Sequence, residues 1–230
     1  MQNDSRPTQA APSSERLMPV VGGRTWVVER RGDLEAMWRQ LGEADFGPDE
    51  RMPYWVELWP SSLALGRWLS GQAGALAGRL CVDIGCGLGL TAMIGAGLGA
   101  RVLAFDYEFA PLPFARRSAA LNGVPQPLWV QMDWRAPALA PGCAAFAWGG
   151  DVMYELRFVE PVTALLEHVL APGGRAWIAE PGRSIREPFL AHAAERGFSC
   201  SRALTERFEH QGHPVTVHIL ELRKNDGPRS

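Results

Sequence analysis

The hydrophobic pattern of the 230-residue chain changes at about residue 80. From there on, short apolar runs typical of buried strands alternate with stretches whose apolar residues recur every three or four positions, as in amphipathic helices. The predicted strands cover 80–84, 101–105, 128–132, 144–148 and 175–179, and the predicted helices cover 88–98, a segment ending near 121, 158–170 and 185–196. Two closing strands, 198–204 and 215–222, have no helix between them and are predicted to pair antiparallel. The alternation indicates an α/β fold with a seven-stranded, mainly parallel sheet and helices on both faces.

The first 78 residues lack this alternation. Residues 1–17 are polar, contain proline and show no periodicity, so we expect a disordered tail. Residues 18–78 form an extension with a small hairpin around Gly22-Gly23, a helix capped by Asp33 and a second helix beginning at Pro60. Residues 79–225 form the core domain.

The first core strand ends in a glycine-rich turn. Residues 83–89 read D-x-G-x-G-x-G, with Asp83 followed by Gly85, Gly87 and Gly89. Glycine lets the backbone approach a ligand closely and adopts positive φ at little cost. The spacing differs from the G-x-G-x-x-G of dinucleotide-binding turns, which disfavours a nicotinamide-dependent dehydrogenase. We therefore predict that Asp83 and the three glycines bind a small, nucleoside-like molecule.

Four consecutive predicted strands end at an aspartate, namely Asp83, Asp106, Asp133 and Asp151. Ligands bind beyond the carboxyl ends of the strands in an open parallel sheet, so these side chains should gather at one edge. A single aspartate of this kind is equally well explained as a helix cap or a turn former. Asp106 is placed to accept hydrogen bonds from a ribose diol, and Asp133 and Trp134 are placed to contact a base. No G-K-[ST] follows the glycines, which argues against a nucleoside triphosphate.

The composition argues against several classes of partner and site. Hydrophobic residues make up 47% of the chain and charged residues 21%, and the formal net charge of −2 gives no general attraction to nucleic acid or to a membrane surface. There is no apolar run of about 18 residues and no apolar N-terminal signal, so we expect a cytoplasmic protein. Cys81, Cys86, Cys143 and Cys200 show neither C-x-x-C spacing nor clustered histidines, so they are interpreted as free thiols and no metal site is predicted.

These motifs resemble those of the class I, seven-strand S-adenosylmethionine-dependent methyltransferases. The resemblance covers roughly 53–223 and rests on the glycine turn, the acid ending the second strand and the Asp133-Trp134 pair. The aromatic Trp-Pro segment over 53–60 and the D-x-x-Y motif over 151–154 are similar to those of the methyltransferase-like protein lysine methyltransferases. Within that group the chain is most similar to the electron transfer flavoprotein β-subunit lysine methyltransferases and their bacterial relatives. It departs from them at Gly149-Gly150, where the relatives more often carry an Ala-Ser or Ala-Asn pair.

The resemblance implies a Rossmann-like sheet, S-adenosylmethionine as cofactor and a protein carrying an acceptor lysine as partner. It also implies that residues 18–78 include a segment that covers the cofactor and that residues 79–225 are the methyltransferase core. We expect no nucleic-acid or membrane partner, and a monomer.

Methyl transfer to an amine is mainly a positioning task, because a neutral amine must lie in line with the methyl group. By resemblance, Asp151 orients the amine, Tyr154 walls the acceptor channel, Glu57 is a second candidate for contact with amine or cofactor, and Trp59 covers the cofactor. Each has a plainer alternative: Tyr154 as a buried aromatic, Glu57 as a solvated charge, and Trp59 as a residue packed on the core.

Two other functions stay open at this point. The same fold could act on a small-molecule amine or on a protein histidine. It could also serve as a cofactor-binding interaction module without catalysis, although an intact Asp151 and Tyr154 argue against that hypothesis.

Overall fold

A computed structural model of the chain describes residues 14–32 and 53–226. Its central sheet has seven strands: β5 (Leu80–Ile84), β6 (Arg101–Asp106), β7 (Leu128–Gln131), β8 (Ala144–Gly150), β9 (Leu170–Glu180), β10 (Phe198–His210) and β11 (His213–Lys224). They are ordered β10-β11-β9-β8-β5-β6-β7. The five strands from β9 to β7 are parallel, whereas β11 pairs antiparallel with both β9 and β10. This confirms the predicted mainly parallel sheet with a terminal antiparallel pair.

Six α-helices accompany the sheet in the described part of the chain: α1 (Pro60–Ser70), α2 (Ala73–Leu76), α3 (Leu90–Gly97), α4 (Leu112–Leu121), α5 (Val159–Val169) and α6 (Arg186–Glu195). Short 3₁₀ turns cover Tyr54–Val56 and Leu156–Phe158. Alternate side chains of a strand face opposite sides of its sheet. In β5, Cys81 accordingly joins one core cluster, with Leu65 and Met93 of α1 and α3, and Val82 joins the other, with Leu165 of α5.

Several boundaries differ from the sequence prediction. β9 begins at Leu170 rather than at 175, because residues 170–174 continue the strand past a register irregularity beside β8. β10 runs to His210 rather than to 204, because its antiparallel ladder with β11 resumes after a register shift between Arg202 and Leu204 and continues to His210. Helix α3 begins at Leu90 rather than at 88, because Gly89 before it has the left-handed φ of 79°.

The amino-terminal part forms two small antiparallel sheets. Strands β2 (Val20–Val21) and β3 (Arg24–Thr25) form the hairpin predicted around the two glycines. Strand β1 (Ser14–Leu17) pairs with β4 (Val28–Arg31), so the end of the predicted disordered tail at residue 17 is wrong. The sequence missed this strand because its residues are mostly exposed and have no apolar alternation, so its conformation depends on pairing with β4. Residues 1–13 and the helix predicted from Asp33 lie outside the described residues.

The β1–β4 sheet is fastened to helix α4. The backbone N–H of Glu29 donates to Ser118 Oγ (2.8 Å), and Asn122 Nδ2 donates to the carbonyl of Val27 (2.7 Å). The N–H of Val27 returns a hydrogen bond to Asn122 Oδ1 (3.0 Å). These bonds fix strand β4 beside the edge of the sheet at which the candidate site lies.

Two predictions from composition can be compared with the structure. All four cysteines are free thiols, as predicted, with Cys81 and Cys86 buried. Among the described helices, none combines the length and the apolarity that a membrane crossing would need.

Candidate active site

A cleft of about 160 Å³ opens at the carboxyl edge of β5, β6 and β8. It is lined by the glycine turn after β5, by Asp106 and Glu108 at the end of β6, by Trp134 after β7 and, at the end of β8, by Gly150, Asp151, Val152 and Tyr154. Residues 54–59, here called the covering segment, close its remaining side. The strand ends therefore meet at one edge as the sequence predicted, although they do not all reach the cleft.

The glycine turn has a backbone that only glycine adopts easily. Gly85, Gly87 and Gly89 have φ of 59°, 48° and 79°, all in the left-handed region. A Cβ on Gly89 would lie 2.6 Å from the Trp129 ring and 2.8 Å from Ala115 Cβ. An added Cβ would lie 3.0 Å from Val152 Cγ1 at Gly85 and 3.6 Å from Trp55 O at Gly87, and both of these neighbours line the cleft. The absence of side chains at Gly85 and Gly87 therefore leaves the backbone accessible from the cleft, as close contact with a ligand requires.

Asp106 holds this turn and also faces the cleft. Its Oδ2 accepts from the N–H of Gly87 (2.8 Å) and its Oδ1 accepts from the N–H of Glu108 (3.0 Å). Burial raises the pKa of the Asp106 carboxyl to about 6, against these hydrogen bonds that favour the ionised form. Each carboxylate oxygen can accept a further hydrogen bond, so Asp106 remains suited to a ribose diol.

Asp83 lies beneath the turn instead of in the cleft. Its side chain is buried, with 1% of the residue exposed, and Oδ2 accepts from Thr91 Oγ1 at 2.6 Å. Burial raises the pKa of Asp83 to about 7. Asp83 therefore does not line the cleft, and its side chain instead joins the strand end to the first turn of α3.

Asp133 and Trp134, predicted as a pair, are separated by the structure. Both oxygens of Asp133 accept from Arg135 Nε (3.0 and 2.9 Å), and Asp133 does not line the cleft. Burial by itself would raise the pKa of Asp133, but the hydrogen bonds from Arg135 hold this pKa below its ordinary value. Trp134 does line the cleft, with its ring 5.1 Å from Phe158 in an edge-to-face arrangement. Asp133 thus lies outside the cleft and Trp134 lies in its wall, where contact with the cofactor stays a prediction.

Asp151 occupies the cleft in a strained backbone position. Its φ is 56°, which is uncommon for a residue other than glycine, and its N–H donates to Ala179 O of β9 at 2.8 Å. Both carboxylate oxygens accept from Arg183, through Nε and Nη2 at 3.0 Å each. The sequence reasoning missed Arg183. The available signal was that β9 also ends at an acid, Glu180, three residues before it.

Tyr154 belongs to an aromatic wall. Its ring lies 5.6 Å from Tyr54 and 4.8 Å from Phe158, both edge-to-face. Burial, with Glu155 nearby, raises the pKa of Tyr154 to about 12, so its hydroxyl stays protonated and can donate a hydrogen bond at neutral pH. Tyr154 is therefore a partly buried aromatic residue that also lines the cleft, and its role as the wall of an acceptor channel stays a prediction.

The covering segment is fixed from the amino-terminal sheet. Glu57 lines the cleft and accepts from Arg30 Nη1 of β4 at 2.8 Å, so it is neither a solvated charge nor unbound. Trp59 lines the cleft and donates from Nε1 to Tyr54 O at 2.8 Å. Arg30, a buried residue, is a second position that sequence reasoning missed, since nothing local links it to residue 57.

The unusual Gly149-Gly150 pair has a packing reason. A Cβ on Gly150 would lie 2.9 Å from Ser62 Oγ and 3.3 Å from its backbone nitrogen. A Cβ on Gly149 would lie 2.9 Å from Val152 Cγ2. The two glycines therefore allow the start of α1 and the residue after Asp151 to pack closely on the end of β8.

Comparisons with known proteins agree with this site. Residues 82–178 match the model of a methyltransferase domain. The chain is 27% identical over 195 residues to the protein N-lysine methyltransferase METTL21A of Mus musculus, covering 82% of this chain and 81% of that protein. It is 30% identical over 165 residues to the electron transfer flavoprotein β-subunit lysine methyltransferase of Xenopus laevis, covering 67% of this chain and 63% of that protein. It is 28% identical over 175 residues to the histone-arginine methyltransferase METTL23 of Homo sapiens, covering 72% of this chain and 91% of that protein.

Solved structures share the fold. The T. thermophilus 16S rRNA N2 G1207 methyltransferase RsmC, in complex with AdoMet and guanosine, superposes with a TM-score of 0.62 at 16% identity, covering 95% of this chain and 52% of that one. The predicted Rossmann-like methyltransferase sheet and the predicted cofactor are thereby confirmed at the level of the family. With its glycine turn, its strand order and these relatives, the chain belongs to the class I S-adenosylmethionine-dependent methyltransferases.

Proposed function

We propose that this protein is a protein lysine N-methyltransferase. The observation that carries the proposal is the position of Asp151 and Tyr154 in one cleft with the glycine turn. A carboxylate and a protonated phenol are the groups that can orient an amine by accepting and donating hydrogen bonds. Two of the relatives named above are lysine methyltransferases, which supports the same acceptor.

The chain offers a matching set of groups for the cofactor. Gly85 and Gly87 leave space at the cleft that a Cβ would occupy, Asp106 can accept from ribose hydroxyls, and Trp134 can pack on the adenine. When bound, S-adenosylmethionine supplies an electrophilic methyl group on a positively charged sulfur. The covering segment would exclude water from the same space, with Trp59 as part of the cover.

Asp151 would act on the acceptor side. Its carboxylate accepts hydrogen bonds from the N–H groups of the lysine amine and so orients the nitrogen lone pair along the line of attack. Tyr154 and Tyr54 line the cleft as a pair of edge-to-face rings, which limit the space around the amine. Asp133, held by Arg135 outside the cleft, takes no part.

Radiolabelled cofactor tests the acceptor class. The purified full chain is incubated with labelled S-adenosylmethionine and either a bacterial lysate or purified electron transfer flavoprotein β subunit, and products are assigned by mass spectrometry. We expect label on lysine in a protein band. Label confined to small molecules, or found on histidine or arginine, contradicts the proposal.

Asp151→Asn tests the role of the carboxylate. Asparagine tolerates the left-handed φ of this position and keeps the shape of the side chain, so the fold should persist. We expect transfer to fall roughly 100-fold, while calorimetry gives the wild-type affinity for S-adenosylhomocysteine. Asp133→Asn is the matched control and should keep full activity. Wild-type turnover by Asp151→Asn would remove Asp151 from the reaction.

A further inference from the structure

The carboxylate of Asp151 forms an ion pair in the cleft, because Arg183 donates hydrogen bonds to both of its oxygens. The two distances are 3.0 Å, in the bidentate geometry that matches a guanidinium to a carboxylate. The Asp151 side chain is 8% exposed and that of Arg183 is 38% exposed. The guanidinium therefore reaches from the rim of the cleft to a nearly buried partner.

Both partners are fixed to the end of β9. Glu180 Oε2 accepts from the backbone N–H of Gly182 (2.7 Å) and of Arg183 (2.8 Å), and Glu180 is itself buried. Asp151 is held by its own N–H on Ala179 O. The pair is thus preorganised by two adjacent residues at the end of β9, through the backbone carbonyl of Ala179 and the side-chain carboxylate of Glu180.

The pairing leaves room for an amine. A carboxylate has about four acceptor sites, of which the two hydrogen bonds from Arg183 use two. Asp151 can therefore stay paired with the Arg183 guanidinium while it accepts a hydrogen bond from the amine of the substrate lysine.

We infer that Arg183 is a positioning residue for methyl transfer, and that it favours the neutral form of the acceptor lysine; the inference rests on the proposed function. An unpaired, nearly buried Asp151 would bind an ammonium ion strongly and hold lysine in its unreactive form. A guanidinium is permanently charged, and its charge beside the site disfavours a second cation. Arg183 thereby lowers the affinity of the site for the lysine ammonium ion and raises the fraction of bound lysine that is the reactive neutral amine.

Other charged or titratable groups face this pair and must be separated from it. The pKa of Arg183 is raised by its hydrogen bonds with Asp151 and by the nearby charges of Glu180 and Tyr54. Arg186 Nη1 lies 3.6 Å from Glu180 Oε1, and His218 of β11 is the residue opposite Glu180 in the sheet. Burial lowers the pKa of His218, so it is neutral in the alkaline range in which a lysine amine titrates. Arg186 contacts Glu180 without contacting Asp151, which makes it the matched control.

The test compares Arg183→Gln, Arg183→Lys and Arg186→Gln in the full chain. The substrate is the purified protein that the wild-type enzyme labels on lysine, and kcat and KM are measured from pH 6 to 10 at saturating S-adenosylmethionine. We expect the midpoint of kcat against pH to rise by about one unit in Arg183→Gln, with kcat at pH 7.5 about tenfold lower and KM equal or lower. Arg183→Lys keeps a positive charge, so its midpoint of kcat against pH should lie between those of the wild type and Arg183→Gln. Arg186→Gln should have the wild-type midpoint.

The outcomes separate the two proposals. S-adenosylhomocysteine calorimetry on each variant shows whether the cofactor site is intact. If Arg183→Gln keeps the wild-type pH midpoint while the wild-type enzyme labels lysine, the role of Arg183 is refuted and the proposed function stands. If the wild-type enzyme labels no lysine, the proposed function fails, and this inference fails with it.

Discussion

Gly89→Ala is the most direct test of the glycine turn on which the cofactor site depends. Gly89 has φ of 79°, and an added Cβ would lie 2.6 Å from the ring of Trp129 and 2.8 Å from Ala115 Cβ. Gly123 offers a matched control, since its φ is 64° but nothing lies within 4 Å of an added Cβ. The pair separates backbone strain from crowding in the same protein.

The expected costs follow from these two terms. A left-handed backbone costs a residue with a side chain about 1–2 kcal/mol, and overpacking adds about 1–3 kcal/mol. Gly123→Ala should therefore lose roughly 1–2 kcal/mol of unfolding free energy and Gly89→Ala roughly 2–5 kcal/mol. For a chain of this length, the difference between the variants corresponds to about 2–12 °C in Tm.

Urea denaturation without cofactor measures the two free energies, and calorimetry measures binding of S-adenosylhomocysteine. Gly89→Ala should also lose most of its cofactor affinity, because relief of the contacts with Trp129 and Ala115 displaces a turn that lines the cleft, whereas Gly123→Ala should keep it. Equal destabilisation of the two variants would refute the crowding argument. Unchanged cofactor affinity in Gly89→Ala would refute the role of the glycine turn.

Three further predictions concern the cofactor. Affinity for S-adenosylhomocysteine should rise with pH through about 6, since Asp106 accepts ribose hydroxyls as a carboxylate, and calorimetry across pH should give a flatter profile in Asp106→Asn; a wild-type profile in that variant would exclude Asp106. Arg30→Ala should weaken the same affinity roughly tenfold, because it removes a charge-assisted hydrogen bond that holds Glu57 and the covering segment, and a change of less than twofold would contradict this. Trp134→Ala should lose about 1–3 kcal/mol of binding free energy through lost stacking while Asp133→Asn loses almost none, and equal losses would show that the separation of these neighbours is wrong.

Much of the fold could be predicted because local patterns and tertiary packing agree in the core. Strand β5 reads as an apolar run, and its glycine turn needs no partner to explain left-handed φ. β1 was missed because four residues with little apolar character become a strand only through pairing with β4. The longer β10 has the same cause, since a strand's end is set by the length of its neighbour.

The site divides along a similar line. The sequence by itself determined the residue types at the strand ends, the conformational freedom of Gly85, Gly87 and Gly89 and the D-x-x-Y motif, because each is a property of adjacent residues. Only the tertiary structure decided which acids face the cleft. β5 turns Asp83 under the glycines towards Thr91.

Two further assignments depended on residues far away in sequence. Arg30 reaches Glu57 from 27 residues away, and Arg183 reaches Asp151 from 32 residues away. No local pattern encodes such pairs, because each forms only when different segments fold against one another. The sequence thus determined the chemistry available at this sheet edge, and tertiary packing decided which of it is presented to a ligand and how it is charged.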